Sequence, residues 1–460
     1  MIGQRSSQRV WNASRLARGL HANLFAMGLR VITQLAALPL LFAFWDAARV
    51  GAWLMVVAVP AYLILFAQGH ASAAANQVLT GQATDGGAGA LFTATNRRIV
   101  AGTLALLLAG TALVWAFSAD IAQLLDRTDP AVVICALWLY ALASARIALL
   151  EIPLRRAGRY PFVIAHGAIT AAAELPAIAV ALLLDAEIGG AITAIALVRI
   201  AGWLIAEWTA RRSDPAIFDA RPSTCAIKPK GVWAFMALPL ILGINLQGYV
   251  ILTGAFYGAV AVAGYVAVRT IVRLFDLFAS FLFSAFYFET AHLTDDGAVK
   301  RRVMASATAL ALVAGALFGL VLFAFGPSIL NWWIGGVVAF DYAIAAILFA
   351  AAMFRTLASA PAAILASRND HSKFVGVYLA ASIICAAISM LLARSGASLA
   401  GALALLVLAE ASQTIAAFRR ALKASDYTLR ALLADLIHED RLDDLQRLCL
   451  TLNNRGHHHV

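Results

Sequence analysis

Six arginines stand inside long apolar runs of this 460-residue chain: Arg30, Arg146, Arg199, Arg269, Arg273 and Arg355. A guanidinium is permanently charged and presents a planar fork of donors that matches carboxylate and phosphate oxygens. Charge at such depth is costly, so it faces a wet cavity or a partner unless its stem reaches the headgroups. Helical spacing groups these residues. Asn23, Met27, Arg30 and Gln34 follow at steps of four, three and four, and form one stripe. Arg30 lies about ten residues into its run, roughly 15 Å at the helical rise, beyond its own side chain's reach. Arg269, Arg273 and Asp276 share a second face, where Asp276 is placed to neutralise Arg273 and leave Arg269 without a local partner. Arg199 is central in its run, with Trp203 one turn later, and Arg355 is central in its own, with Ser359 one turn later. Arg146 stands five residues before Glu151 and is expected to snorkel or pair there.

The acids at comparable depth are fewer. Glu174 shares a face with His166 and Thr170, Glu410 is followed by Gln413 and Thr414, and Asp341 lies near a run's end. A buried carboxyl can serve as a proton site, or it can pair with a neighbouring arginine; the residues leave both readings open. The excess of deep arginine predicts a cationic cavity suited to an anionic, phosphate-bearing substrate. Candidate substrate-binding residues are therefore Arg30, Arg199, Arg269, Arg273 and Arg355, with Asn23 and Gln34. Asp276 and Glu174 are candidate coupling or ion-pair residues.

Other chemistry lacks its motifs. There is no Walker-type phosphate loop, and Gly81 to Gly89 reads as a flexible linker. Cys135, Cys225, Cys385 and Cys449 lie far apart, with neither a disulfide framework nor metal spacing. His457, His458 and His459 are adjacent at the chain end and incidental. No enzyme activity and no cofactor are expected.

Elements that could hold arginines at such depth follow from composition. Hydrophobic residues make up 62% of the chain and charged residues 13%, with a mean hydropathy of +0.83, which places it in the membrane class. The net charge of +10 then belongs to the bilayer surface and implies no nucleic-acid partner. Twelve stretches are long enough to span: 20–44, 50–80, 99–118, 131–150, 162–184, 188–209, 232–256, 259–290, 303–325, 336–367, 374–393 and 399–418. The first is too long for a cleaved signal core and is read as a retained helix. With the N-terminus inside, 26 lysines and arginines fall on inner segments and three, Arg49, Arg127 and Arg394, on outer loops. That asymmetry predicts cytoplasmic N- and C-termini.

A weak internal repeat divides the spans. Phe44-Trp45-Asp46 followed by Gly51-Ala52-Trp53 occupies the turn between spans one and two. Phe256-Tyr257-Gly258 followed by Gly264-Tyr265-Val266 occupies the turn between spans seven and eight. The expected architecture is an all-α polytopic membrane protein, with twelve transmembrane helices in two six-helix bundles related by a pseudo-two-fold around a central cavity. Its parts are a cytoplasmic segment 1–19, a bundle 20–209, a proline-rich cytoplasmic linker 210–231, a bundle 232–418 and a tail 419–460. In the tail, Leu429, Leu432, Leu433, Leu436 and Ile437 recur at helical spacing and predict a surface amphipathic helix.

This pattern resembles the polysaccharide transporter family, which includes O-antigen flippases. The family belongs to a superfamily that also holds multidrug and toxic-compound extruders. The resemblance covers about residues 15–420 and rests on twelve spans in two halves, the Phe44–Gly51–Trp53 turn, Gly69 and the Gly264-Tyr265 entry to span eight. It implies a flippase carrying an undecaprenyl-pyrophosphate-linked oligosaccharide from the inner to the outer leaflet of a bacterial cytoplasmic membrane by alternating access, in O-antigen or exopolysaccharide biosynthesis. Membrane lipids, a glycan polymerase and chain-length proteins would be its further partners. A cationic lumen is a family trait, carried here to Arg30, Arg199, Arg269, Arg273 and Arg355 by helix position. Multidrug exporters of the superfamily bind cations, and proton-coupled ones typically use an acid in span one; span one here offers Arg30 and no acid. A non-transporting scaffold of a glycan-assembly complex is a third reading, and it would tolerate neutralisation of every deep arginine.

Overall fold

The structure, a computed structural model, describes residues 13–79, 85–116, 129–219, 237–292, 297–367 and 372–436. Those residues are helical throughout apart from short turns. The long helices are α1 (Ala13–Phe44), α2 (Ala47–Leu79), α3 (Asp85–Ala116), α4 (Pro130–Arg156), α5 (Tyr160–Leu183), α6 (Ile188–Ser213), α7 (Ala237–Tyr257), α8 (Ala259–His292), α9 (Gly297–Ile334), α10 (Tyr342–Ser367), α11 (Ser372–Arg394) and α12 (Leu399–Ala424). A short helix, α13 (Leu429–Leu436), follows. Among the described residues ten helices are long and apolar enough to cross a membrane, against the twelve expected. The other two expected spans fall on α3 and α8, and α8 carries Arg269, Arg273 and Asp276 in its middle. The chain has an all-α polytopic membrane fold.

Helix boundaries follow from local chemistry. Asp46 Oδ1 accepts from the Arg49 N–H at 2.8 Å, and Asp129 caps α4 by accepting from the Ala131 N–H at 2.9 Å, with Pro130 opening the helix. Asp341 accepts from the backbone of Ala343 and Ile344 at 2.8 and 3.0 Å, so this acid starts α10 and lies outside the arginine clusters. Gly258 separates α7 from α8 at φ 86° and ψ 169°, a conformation that essentially only glycine adopts. Pro60, Pro176, Pro239 and Pro361 sit inside helices, as expected of spans whose neighbours can satisfy a freed carbonyl.

Two expectations are corrected. The stretch 81–89 is not a linker throughout: residues 81–84 lie outside the described residues, and the chain is helical from Asp85. Glycine costs about 1 kcal/mol in a helix, but here Ala88, Ala90, Leu91 and Phe92 are buried, and that burial outweighs the propensity. In the expected linker 210–231, α6 runs on to Ser213 and a single turn, Pro215–Phe218, follows; 220–231 lie outside the described residues.

The chain divides into two compact units, residues 1–40 with 70–227, and residues 41–69 with 228–460. In the first, Leu150 and Leu154 of α4 pack with Ala206 and Ala210 of α6, flanked by Phe162 and Trp203. In the second, α7, α9, α10, α11 and α12 meet around Ile241, Met304, Leu365, Phe374, Tyr378 and Ala421. The first two thirds of α2 belong to this unit. Gly51 lies so close to α8 that a Cβ there would strike the Ala259 carbonyl, while Gly254 faces Met55. The two repeat turns thus meet each other. Leu432 of α13 inserts into the same core, whereas Leu429 and Leu433 are exposed. Ile437, the last residue of the expected tail pattern, lies outside the described residues.

Candidate functional site: an arginine-rich recess in the second unit

The second unit gathers its polar side chains where α7, α8, α10, α11 and α12 converge. Arg355 of α10 is the junction. Its Nη1 donates to both Asp276 carboxylate oxygens at 2.9 Å, reaching α8. Its Nη2 donates to Glu410 Oε1 of α12 at 2.8 Å. Glu410 is 0% exposed and receives two more donors: Tyr378 Oη of α11 at 2.7 Å and Asn245 Nδ2 of α7 at 3.2 Å. A buried carboxylate is tolerable only with such satisfaction.

Asn245 reaches this cluster from a π-helical turn, Gly243–Gly248. A π turn breaks the regular helical ladder, and such turns recur at functional sites. Here it coincides with a second contact: Arg269 Nη1 of α8 donates to the Leu246 carbonyl at 2.7 Å, and the guanidinium lies 5.9 Å from the Tyr265 ring. Arg269 is buried, and Tyr265 fully so.

Arg273 completes the group. It is half-buried and makes no hydrogen bond or ion pair among the described residues. The expected pairing of Asp276 with Arg273 is therefore corrected. Asp276 bridges to Arg355, since a partner on a facing helix can meet the carboxylate head-on. Arg269, Arg273, Asp276 and Arg355 line one small, open recess with Asn245, Leu246 and Tyr265. Its charged lining is three arginines against Asp276, and even with Glu410, enclosed behind Arg355, counted in, one positive charge is in excess. Asn245 Oδ1, Arg269 Nε and Arg355 Nε are buried without a partner among the described residues, so the group retains hydrogen-bonding capacity toward a polar ligand.

The first unit places its arginines differently. Arg199 of α6 pairs with Glu174 of α5, and its guanidinium lies 5.1 Å from the Tyr140 ring of α4. Glu174 thus already has a cation. His166 stacks on Phe162 one turn away. Arg146 does pair, but with Glu207 at 3.1 Å and Asn96 at 2.8 Å instead of Glu151, which Arg155 takes at 2.7 Å. On α1, Arg30 and Asn23 are exposed and Gln34 is half-buried. The predicted stripe exists as a helix face, yet α1 does not join it to Arg199 inside this unit.

Sequence spacing thus located Arg269, Arg273, Asp276 and Arg355, which the structure brings together, and Arg30 and Arg199, which stand apart. It missed Asn245, Tyr265 and Tyr378, and it left open whether Glu410 pairs with an arginine, where the structure sets this carboxylate at the cluster's centre. The available signal was an asparagine between Gly243 and Gly248 in an otherwise apolar span.

No family model and no curated protein matches the chain. Solved structures do. A multidrug-resistance MATE family transporter of the MOP superfamily, in an inward-facing conformation, superposes at a TM-score of 0.58 with 14% identity, covering 90% of this chain and 97% of that one. The eukaryotic MATE transporter AtDTX14 gives 0.40 at 15% identity over the same shares. Both are transporters and not enzymes. The first likeness is one of fold: this chain shares the all-helical architecture of that transporter.

Proposed function

We propose that the protein is a flippase that moves an undecaprenyl-pyrophosphate-linked oligosaccharide across a bacterial cytoplasmic membrane by alternating access, with both termini cytoplasmic. The observation that carries this reading is Arg273. It is an arginine without an ion-pair partner among the described residues, lining a recess whose net charge is positive. A permanent cation kept there at the cost of desolvation suits an anionic headgroup. The sugar needs the wet recess, the diphosphate needs the guanidinium groups, and the prenyl tail can remain in lipid. An inside-negative potential favours outward movement of net negative charge by about 2.3 kcal/mol per charge per 100 mV.

One solved structure of similar fold is a multidrug-resistance transporter, which makes drug export the competing reading. A cationic drug wants a free carboxylate. Glu174, Asp276 and Glu410 each face an arginine instead, which favours the anionic cargo. Complementation of a flippase-deficient strain separates the two. The wild-type gene should restore surface glycan, and Arg269→Ala and Arg273→Ala, both at the recess, should each abolish it while the protein still inserts. Restored drug tolerance without glycan, or full function of the double variant, would contradict the proposal.

A further inference from the structure

Arg355 holds two carboxylates, and it holds them unequally. Glu410 is fully enclosed and fixed by three donors, Arg355, Tyr378 and Asn245. The Asp276 side chain keeps 21% of its exposure and has Arg355 as its one donor among the described residues. Asp276 also lines the recess, together with the arginine that binds it and with Arg269 and Arg273. Both Asp276 oxygens sit 2.9 Å from one guanidinium nitrogen, which is where an oxygen of an incoming phosphate would make its own charge-assisted bond.

We propose that Asp276 is a tethered competitor of the substrate: it occupies Arg355 in the unloaded recess, and the cargo's diphosphate must displace it to bind. This deepens the flippase reading and rests on it. Displacement leaves Asp276 within reach of Arg273, one helical turn away on α8, so the freed carboxylate has a cation at hand. Glu410 stays in place and keeps α10 tied to α12. Breaking the Asp276–Arg355 bridge loosens α8 from α10, which gives headgroup arrival a structural consequence.

The exchange also sets charge selectivity. A ligand with one negative charge replaces one anion by another and gains little. A diphosphate brings two charges and several oxygens, and can engage Arg355 together with Arg269 or Arg273. Asp276 thus acts through Arg355 as a positioning residue that rejects neutral and singly charged headgroups.

The test uses the full-length protein in nanodiscs, with farnesyl diphosphate and the dimethyl ester of farnesyl diphosphate, which carries one charge, as probes. Wild type should prefer the unesterified, more highly charged probe. Asp276→Asn should bind both more tightly, by at least about tenfold for the singly charged one, which is the low end for relief of a charge-assisted competitor. Its transport should show a lower half-saturating concentration and a lower turnover, a split that mere loss of packing does not produce. A folded Asp276→Asn protein with wild-type or weaker binding overturns the proposal. A second measurement needs no variant: a water-soluble carbodiimide should label Asp276 of the wild type faster when inorganic pyrophosphate is present, and unchanged or slower labelling contradicts displacement. If wild type binds neither prenyl probe, and Arg273→Gln leaves that unchanged, the headgroup site itself is wrong. If Arg273→Gln loses a binding that Asp276→Asn does not strengthen, only the competition fails.

Discussion

Neutralising Glu410 should damage the second unit far more than neutralising Asp276, although both carboxylates bind the same arginine. Glu410→Gln keeps size and can still accept from Tyr378 or Asn245, but it removes the charge facing Arg355 Nη2 at 2.8 Å. Removing one partner of a fully buried ion pair costs about 3–5 kcal/mol. The retained amide contacts and the surviving Asp276 bridge offset part of that, so about 2–4 kcal/mol is expected. Asp276→Asn removes a partner that is part-exposed and singly held, for which about 1 kcal/mol is the appropriate scale. Denaturant titration of the full-length protein in mixed micelles, followed by tryptophan fluorescence, reads the difference as a shift in midpoint. Trp45 and Trp53, whose rings lie 5.8 Å apart in this unit, are suitable reporters. Equal costs, or a costlier Asp276→Asn, would refute the reasoning that enclosure and donor number set the strength of each bridge.

Gly51→Val should destabilise the same unit by about 1–3 kcal/mol, the usual cost of overpacking, because the new Cβ meets the backbone carbonyl of Ala259, which cannot rotate away; thermal inactivation in detergent checks it. In the first unit, Glu174→Gln and Arg199→Gln should each lower stability, and the double variant should lose less than their sum by about 1 kcal/mol; additive losses in a double-mutant cycle would mean the pair is not coupled.

The helix ladder was readable because a membrane helix must satisfy its own backbone and therefore advertises itself as a long apolar run. The depth of the arginines was readable for the same reason. Their partners were not, because pairing is a property of facing helices. Arg355 finds Asp276 at a separation of 79 residues and Glu410 at 55, and Asn245 finds Glu410 at 165. Spacing within one helix offered Arg273 as the partner of Asp276, a local choice that a better-aimed distant guanidinium overrides. The π turn gave no periodic signal, since one inserted residue shifts a ladder without changing composition. Helix α3 begins well before the expected span 99–118, because glycines read as loop chemistry, whereas the buried alanines that hold its first turns carry no motif. The repeat turns were visible as sequence, but their packing, Gly51 against Ala259, was not.

Arg273 tests the central claim most directly. The measurement is the rate at which a fluorescent prenyl-diphosphate-linked oligosaccharide crosses proteoliposomes containing wild type or Arg273→Gln, with folding of both verified by the same micelle titration. Since Arg273 makes no ion pair among the described residues, the variant should keep its stability and lose at least about tenfold in rate, the scale of one charge-assisted contact. A stable Arg273→Gln protein that flips the lipid at the wild-type rate would contradict the assignment of this recess to an anionic headgroup.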